Sequence, residues 1–512
     1  MTVSNSVLST PDTVTRRQGT GNDAPSNSAA RVPSMACPLP RINGRIESAA
    51  KIRATGRRRV IITVACTSSI MQVTRHFDLH VNPVQKLLIR IAPEVTVGST
   101  WIRFMDTPLK LGIIGGGLNS AIGRTHHIAA QLDQCWRIES GCFSQKKDVN
   151  NATADSLRLP RDGRFDKWQD LLTNSRIDAV AVLTPTPTHA EIIEAALARG
   201  IPTISEKSLA TNSGEIASIR RIEKETGGFL AVTFNYSGYP MVRELREWIR
   251  SGWLGQLLHV DAQMPQESYI RCISTSGNRP VPQGWRMRDY GIPTVSLDLG
   301  VHLHHLVDFL TGHKPTRVCG VQRSGGFFPD VIDSVECLAE YSGGLNVRLL
   351  FGKCFLGHAN GLRIRVSGTE GAAEWYQMQP EELILSDKFG THQRITRAAC
   401  DLAVCNSDRY NRFKAGHPAG YIEAFANCYA DLAQAVTARL RGEDQSLGKE
   451  FVADSEVAHE GLLLLEAICE SATSGIWVAP KPIDVDSLTT EESIEPASPE
   501  VFSREAVQCG IV

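Results

Sequence analysis

The chain has 512 residues, more than one hydrophobic core usually serves, so two domains with irregular ends is the expected organisation. Its 54 lysines and arginines nearly cancel its 55 aspartates and glutamates, leaving a net charge of -1 and no global field to recruit nucleic acid or an anionic membrane. The 13 cysteines lie scattered from Cys37 to Cys509 without a CxxC pair, which suits reduced thiols in a cytoplasmic protein better than disulfides or zinc.

Residues 1 to 104 are rich in Ser, Thr, Asn and Arg and show no sustained period, so they read as a disordered or poorly folded extension. Pro11, Gly19, Gly21 and Pro25 interrupt any amphipathic helix of a transit peptide. The run Val60 to Cys66 is far shorter than the roughly 20 apolar residues of a membrane span. After Met105 the pattern changes. Leu109 to Ile114, Arg137 to Phe143, Ala179 to Leu183, Thr203 to Ser205 and Phe229 to Phe234 are strand-like with helical stretches between them, which predicts a parallel sheet over residues 105–235. From 236 to 480 the apolar runs lengthen, as in His259 to Gln263, Val335 to Tyr341, Leu345 to Phe351 and Leu362 to Ser367. They predict a large, mostly antiparallel sheet flanked by the amphipathic segments Tyr421 to Leu440 and Glu456 to Ser471. Residues 481–512 read as a solvated tail.

The strand Leu109 to Ile114 runs into Gly115-Gly-Gly-Leu-Asn-Ser-Ala-Ile-Gly123 and then a helical stretch. Glycines let a backbone approach phosphates, and a helix start offers unpaired amides, so Gly115, Gly117, Leu118 and Asn119 are candidates to cradle a dinucleotide pyrophosphate. Ser120 stands where the third glycine of GxGxxG belongs. The second strand ends Cys142-Phe-Ser-Gln-Lys-Lys147. It lacks the carboxylate that binds free ribose hydroxyls, so Ser144 with Lys146 or Lys147 favours NADP over NAD.

Three further motifs follow in order: Thr184-Pro-Thr-Pro-Thr-His189, Ser205-Glu-Lys-Ser-Leu-Ala210 and Asp298-Leu-Gly-Val-His302, with Asn235-Tyr236, Trp253-Leu-Gly-Gln256 and Gly368-Thr-Glu-Gly371 around them. Together they resemble the glucose-fructose oxidoreductase and inositol dehydrogenase (Gfo/Idh/MocA) family over about Leu109 to Val478. The resemblance implies an α/β fold, with an N-terminal Rossmann domain followed by a substrate-binding α+β domain. It also implies hydride transfer between a nicotinamide cofactor and a hydroxyl-bearing carbon of a sugar, cyclitol or derivative, in a homo-oligomer. Thr184, Pro185, His189, Glu206 and Lys207 would then face the cofactor, and Ser208 replaces the usual proline after the Glu-Lys pair.

The same resemblance makes Lys207, Asp298 and His302 the catalytic set. Four residues apart on a helix, Asp298 and His302 share a face, so the carboxylate can favour and orient an imidazolium that exchanges the hydroxyl proton. No metal is needed for that chemistry. Tyr236, Trp285, Arg286 and His305 are candidate substrate contacts, His305 standing where many relatives carry aspartate; His417, Pro418 and Tyr421 also border the expected pocket. Two other readings share the fold. One is a cofactor-assisted glycosidase that returns its hydride. The other is a non-catalytic nucleotide-binding regulator, which would not need a proton-transfer set.

Overall fold

The computed structural model describes residues 49–54, 59–66, 69–76, 107–414, 416–444, 446 and 448–485. Of the expected tail, 481–512, residues 486–512 lie outside them. Within the extension expected to lack regular structure, three strands form an antiparallel sheet: β1 (Ala49–Ala54), β2 (Arg59–Cys66) and β3 (Ser69–His76), in that order. The β-branched run in β2, Val60-Ile-Ile-Thr-Val64, favours a pleated strand over disorder, and that signal was masked by the polar composition around it.

From Leu109 onward the fold follows the alternation of the sequence. β4 (Leu109–Gly115), β5 (Trp136–Cys142), β6 (Ala179–Leu183), β7 (Thr203–Glu206) and β8 (Leu230–Thr233) form a parallel sheet in the order β5-β4-β6-β7-β8. Its strands are almost wholly buried, as parallel strands covered on both faces must be. Helices α1 (Gly123–Leu132), α2 (Lys147–Ser156), α3 (Trp168–Asn174), α4 (His189–Leu197) and α5 (Ser213–Thr226) make the crossovers. The helix α5 starts at Asn212, whose side chain caps Glu215 N, and stops at Gly227 in the left-handed region.

Helix α6 (Pro240–Arg250) leads into the second sheet, built from β9 (Leu257–Pro265), β10 (Pro315–Arg323), β11 (Ser334–Tyr341), β12 (Leu345–Gly352), β13 (Arg363–Gly368), β14 (Gly371–Tyr376), β15 (Glu382–Asp387) and β16 (His392–Thr396). Its order is β10-β11-β12-β9-β13-β14-β15-β16, antiparallel throughout except for the parallel β12–β9 pair. Strand β12 alternates buried and exposed residues, one apolar face packed and one outward. Helix α7 (Val301–Thr311), preceded by a π-helical turn at Ser296–Gly300, lies against the packed face.

The last two helices return to the first sheet. Helix α8 (Tyr421–Leu440) contributes Phe425, Tyr429, Leu432 and Val436 to the core that holds Leu111, Ile113 and Trp136. Helix α9 (Ser455–Ser474) packs Leu462, Leu464 and Ile468 into the core of the larger sheet. A buried ion pair locks α6 to α8: Arg243 reaches Asp431 at 2.6 Å, with neither side chain more than 2% exposed. Arg243 also donates to Ser237 O and Tyr410 Oη, and its guanidinium lies 4.1 Å from the Phe451 ring centre. Removing one partner of such a pair strands a buried charge, so Asp431→Ala should cost about 3–5 kcal/mol of unfolding free energy. Glu370→Ala, which breaks a half-exposed pair with Lys388, should cost no more than about 1 kcal/mol. Denaturant unfolding of both variants checks the contrast.

Candidate active site

The carboxyl ends of the parallel strands form one wall of the site, where open α/β sheets bind their ligands. At the end of β4, Gly115 has φ +86° and a Cβ there would lie 2.6 Å from Leu183 C, so only glycine makes this turn against β6. The third glycine role, assigned by spacing to Ser120, is taken by Gly123: a Cβ on it would fall 2.1 Å from Gly116 O. Ser120 instead accepts from Gly123 N at 3.2 Å and steadies the helix start. The three-residue-longer spacing of this loop hid that close approach from the motif. Gly117 lies inside the loop, while Leu118 and Asn119 are exposed beyond it, Leu118 N donating to Thr153 Oγ1. The glycine loop and the α1 terminus fit a dinucleotide pyrophosphate. The buried Thr184 Oγ1 and Asn235 Nδ2, both without a protein partner among the described residues, supply further unsatisfied groups.

Other predicted cofactor residues sit around this loop. Ser144, just past β5, accepts from Lys146 N at 3.1 Å, and Lys147 lies 3.9 Å from Asp166 at the surface. Pro185 is exposed. His189, buried at the start of α4, places its ring nitrogens 2.7 Å from Thr184 O and 2.9 Å from Ser208 O, joining the loops that follow β6 and β7. Glu206 ends β7 fully inside the protein. It receives His126 Nε2 at 3.1 Å and Thr233 Oγ1 at 2.5 Å, while His126 Nδ1 lies 2.8 Å from Tyr429 Oη. Burial alone would push the Glu206 carboxyl up, but His126 outweighs it, with help from Lys207 and Thr233, and the group is held below its usual range.

The next residue, Lys207, reaches across to the larger domain. Its Nζ donates to Asp298 Oδ1 and to Asp298 O, both at 2.8 Å. Arg286 approaches Asp298 Oδ2 at 2.7 Å and Lys353 approaches the same oxygen at 2.6 Å. Burial works to raise the Asp298 carboxyl; the charges of Lys207, Lys353 and Arg286 overcome it and hold the group well below the usual carboxylate range. Lys353 was not among the sequence candidates. It directly follows β12 and continues the inward parity of Leu345, Val347, Leu349 and Phe351, and a lysine at an inward position of an apolar strand is the signal that pointed to it.

His302, four residues after Asp298, is 5% exposed and packs edge-on against Tyr236 at 4.7 Å and Phe234 at 5.9 Å. Its Nδ1 is buried without a partner, and among the described residues Asp298 does not hydrogen-bond to it. Burial and the Lys207 charge lower the imidazole well below its ordinary value, against an opposing pull from Asp298. Asp298 therefore acts on His302 through space, with its oxygens committed to the cations. Tyr236 accepts from Asn360 Nδ2 at 3.2 Å, and burial pushes its phenol up. Trp285 lies under the Arg286 guanidinium at 4.4 Å. His305 points elsewhere: it stacks on Phe234 at 4.3 Å, lines a separate cavity of about 770 Å³ with Arg246, Asp308 and Phe309, and is lowered by burial to about 3. Tyr421 packs edge-on against Phe425, and His417 and Pro418 are exposed.

A nucleotide-binding parallel sheet that ends in a lysine and opens onto a carboxylate and a histidine from the larger sheet's helices defines an NAD-binding oxidoreductase. Residues 109–234 match the model of the oxidoreductase family with an NAD-binding Rossmann fold, and residues 242–374 match the GFO/IDH/MocA C-terminal domain. The chain belongs to the Gfo/Idh/MocA oxidoreductase family. It is similar to the uncharacterized oxidoreductase YfiI of Bacillus subtilis, 27% identical over 73% of this chain and 98% of that one. A levoglucosan dehydrogenase of Pseudarthrobacter phenanthrenivorans is 23% identical over 72% of this chain and 97% of its own. Among solved structures, an inositol dehydrogenase homolog from Azotobacter vinelandii, complexed with NADH and myo-inositol, superposes with a TM-score of 0.67 at 27% identity, covering 73% and 98% of the two chains.

The backbone clash at Gly123 makes a direct test. Gly123→Ala should force the loop away from α1 and weaken dinucleotide binding by at least about tenfold, roughly 1.4 kcal/mol, in calorimetry. Gly200→Ala, in open space on the same domain, should leave that affinity in place.

Proposed function

We propose that this oxidoreductase transfers a hydride between nicotinamide and a hydroxyl-bearing carbon of a sugar, cyclitol or derivative. The observation that carries the reading is Lys207 Nζ at 2.8 Å from the largely enclosed Asp298, beside a buried histidine with an unpartnered ring nitrogen. The cofactor, when bound, takes up or returns the hydride. Lys207, held by two contacts to Asp298, aims its remaining N–H at the substrate hydroxyl and lowers the cost of its deprotonation. His302, neutral because burial and Lys207 disfavour its charged form, accepts that proton in the oxidising direction and returns it in the reducing one. Phe234 and Tyr236 fix the plane of its ring. Trp285 and Arg286 face the substrate from the loop before the π-helical turn. The relatives that carry sugar or cyclitol dehydrogenase names support the substrate class.

NADP is the proposed cofactor form. Ser144 and the exposed Lys146 and Lys147 follow β5 where a carboxylate would otherwise claim the ribose hydroxyls. A small-molecule substrate, a homo-oligomeric state and a cytoplasmic setting belong to the same reading; no described helix is long and apolar enough to cross a membrane.

Replacing His302 by Ala should reduce turnover about 10²- to 10⁴-fold with little change in cofactor affinity, and Lys207→Ala should impair both turnover and substrate binding. In the oxidising direction kcat/KM should rise with pH through a limb below the ordinary histidine value, because the base is active when deprotonated and its proton affinity is lowered. Asp298→Asn removes the one charge that favours protonated His302, so that limb should move to still lower pH. Near-normal turnover of His302→Ala at all pH values would assign the histidine to structure alone. Calorimetry with both cofactors should give tighter binding of NADP, and a clear NAD preference reverses that assignment.

A further inference from the structure

The cations around Asp298 outnumber the carboxylate oxygens they share. Lys207, Arg286 and Lys353 all converge on this one carboxylate. The next acid that Lys207 feels, Glu206, commits its hydrogen bonds to His126 and Thr233. Three cations thus share the oxygens of a single carboxylate, and Asp333, the buried acid whose carbonyl receives Lys353 N, spends its side-chain oxygens on Gly325 N and Gly326 N.

The donor inventory is more lopsided. An ammonium offers three N–H donors and a guanidinium five. Lys353 is 7% exposed, yet among the described residues its ammonium donates only to Asp298 Oδ2, its remaining contact being the Tyr269 ring at 5.2 Å. Arg286, partly exposed, gives one N–H to Asp298 Oδ2 and rests a face on Trp285, leaving an edge of its fork without a protein acceptor among the described residues and open to a ligand. Buried charged donors without acceptors are costly, and a neutral hydroxyl satisfies the hydrogen bond but not the charge. An oxyanion satisfies both, and the planar fork of Arg286 suits a two-oxygen acceptor.

We propose that the substrate carries an oxyanion, a carboxylate or phosphate on its polyol skeleton, and that Lys353 and Arg286 receive it beside the Lys207–His302 reaction centre. The proposal rests on the oxidoreductase reading above and narrows its substrate class to acidic sugars or cyclitols. Lys353 is then a specificity residue. It places the anion and thereby the reacting hydroxyl, while Asp298 keeps the three cations from repelling one another.

The test is equilibrium binding to the full-length protein loaded with nicotinamide cofactor, using matched pairs: glucose with glucuronate, galactose with galacturonate, and myo-inositol and glucose with their monophosphates. In at least one pair the anion should bind about tenfold or more tighter than its neutral partner, with the advantage shrinking as salt rises. The carboxylate and phosphate arms distinguish the two sources of the oxyanion. Lys353→Met should collapse the anion-to-neutral ratio, and Lys353→Arg should largely restore it. Absence of an anion preference in every pair overturns the proposal, as does a preference that survives Lys353→Met undiminished. Because the readout is binding, an anion preference without nicotinamide-coupled turnover would sink the proposed reaction and leave this inference standing.

Discussion

Asp298 is a carboxylate taken out of water, and it stays ionised only where opposite charge compensates its lost hydration. The compensation comes from three separate stretches of chain: Lys207 at the end of β7, Arg286 in the loop before the π-helical turn, and Lys353 at the end of β12. Each partner belongs to a different structural commitment. Moving β7 or slipping the register of β12 would leave a mostly buried cation unpaired, at a cost of several kcal/mol. The ion cluster therefore ties the end of the nucleotide-binding sheet to the larger sheet.

A second buried polar chain restrains the same junction from behind. Glu206 is held by His126 of α1 and Thr233 of β8; His126 in turn meets Tyr429 of α8, whose carbonyl receives the Trp136 indole N–H. These contacts join the helix of the phosphate loop, three strands and a helix from nearly the far end of the described chain. Glu206 and Lys207 thus divide the work of one dipeptide: the first faces inward and anchors the strand end, and the second faces the cleft. A surface Glu-Lys pair would contribute little. Inside the protein each charge requires its own partner, which is why both side chains are so narrowly placed.

Much of this was legible in the sequence because the signals are local. The period of two in Leu345 to Phe351, the continuous apolar strand Ala179 to Leu183 and the amphipathic Tyr421 to Leu440 each specify their own structure, and the structure has strands or a helix there. Strands β15 and β16 escaped because they are short and half polar, their stability coming from neighbours in the sheet. The substitution of Gly123 for the glycine expected at Ser120 depended on a helix–loop approach that spacing does not encode. Lys353 was hidden for a related reason. Its inward parity is visible in sequence, but its partner Asp298 is 55 residues away and meets it only through the packing of the π-helical turn against β12. His305 shows the converse. Its helix position is as the sequence implies, yet three residues beyond His302, about 60° around α7, it stacks on Phe234 and lines a separate cavity.

The balance at His302 follows from the same ion cluster. The neighbouring carboxylate alone would make an imidazole more basic, and sequence spacing suggested that influence would prevail. In three dimensions Asp298 spends its oxygens on cations, and the Lys207 charge together with burial outweighs its pull on the ring. A neutral imidazole can accept a proton at once, whereas an imidazolium stabilised by a dedicated carboxylate would first have to lose one. The Lys207 charge thus helps to hold the neighbouring imidazole neutral. The position of that ammonium is in turn set by Asp298.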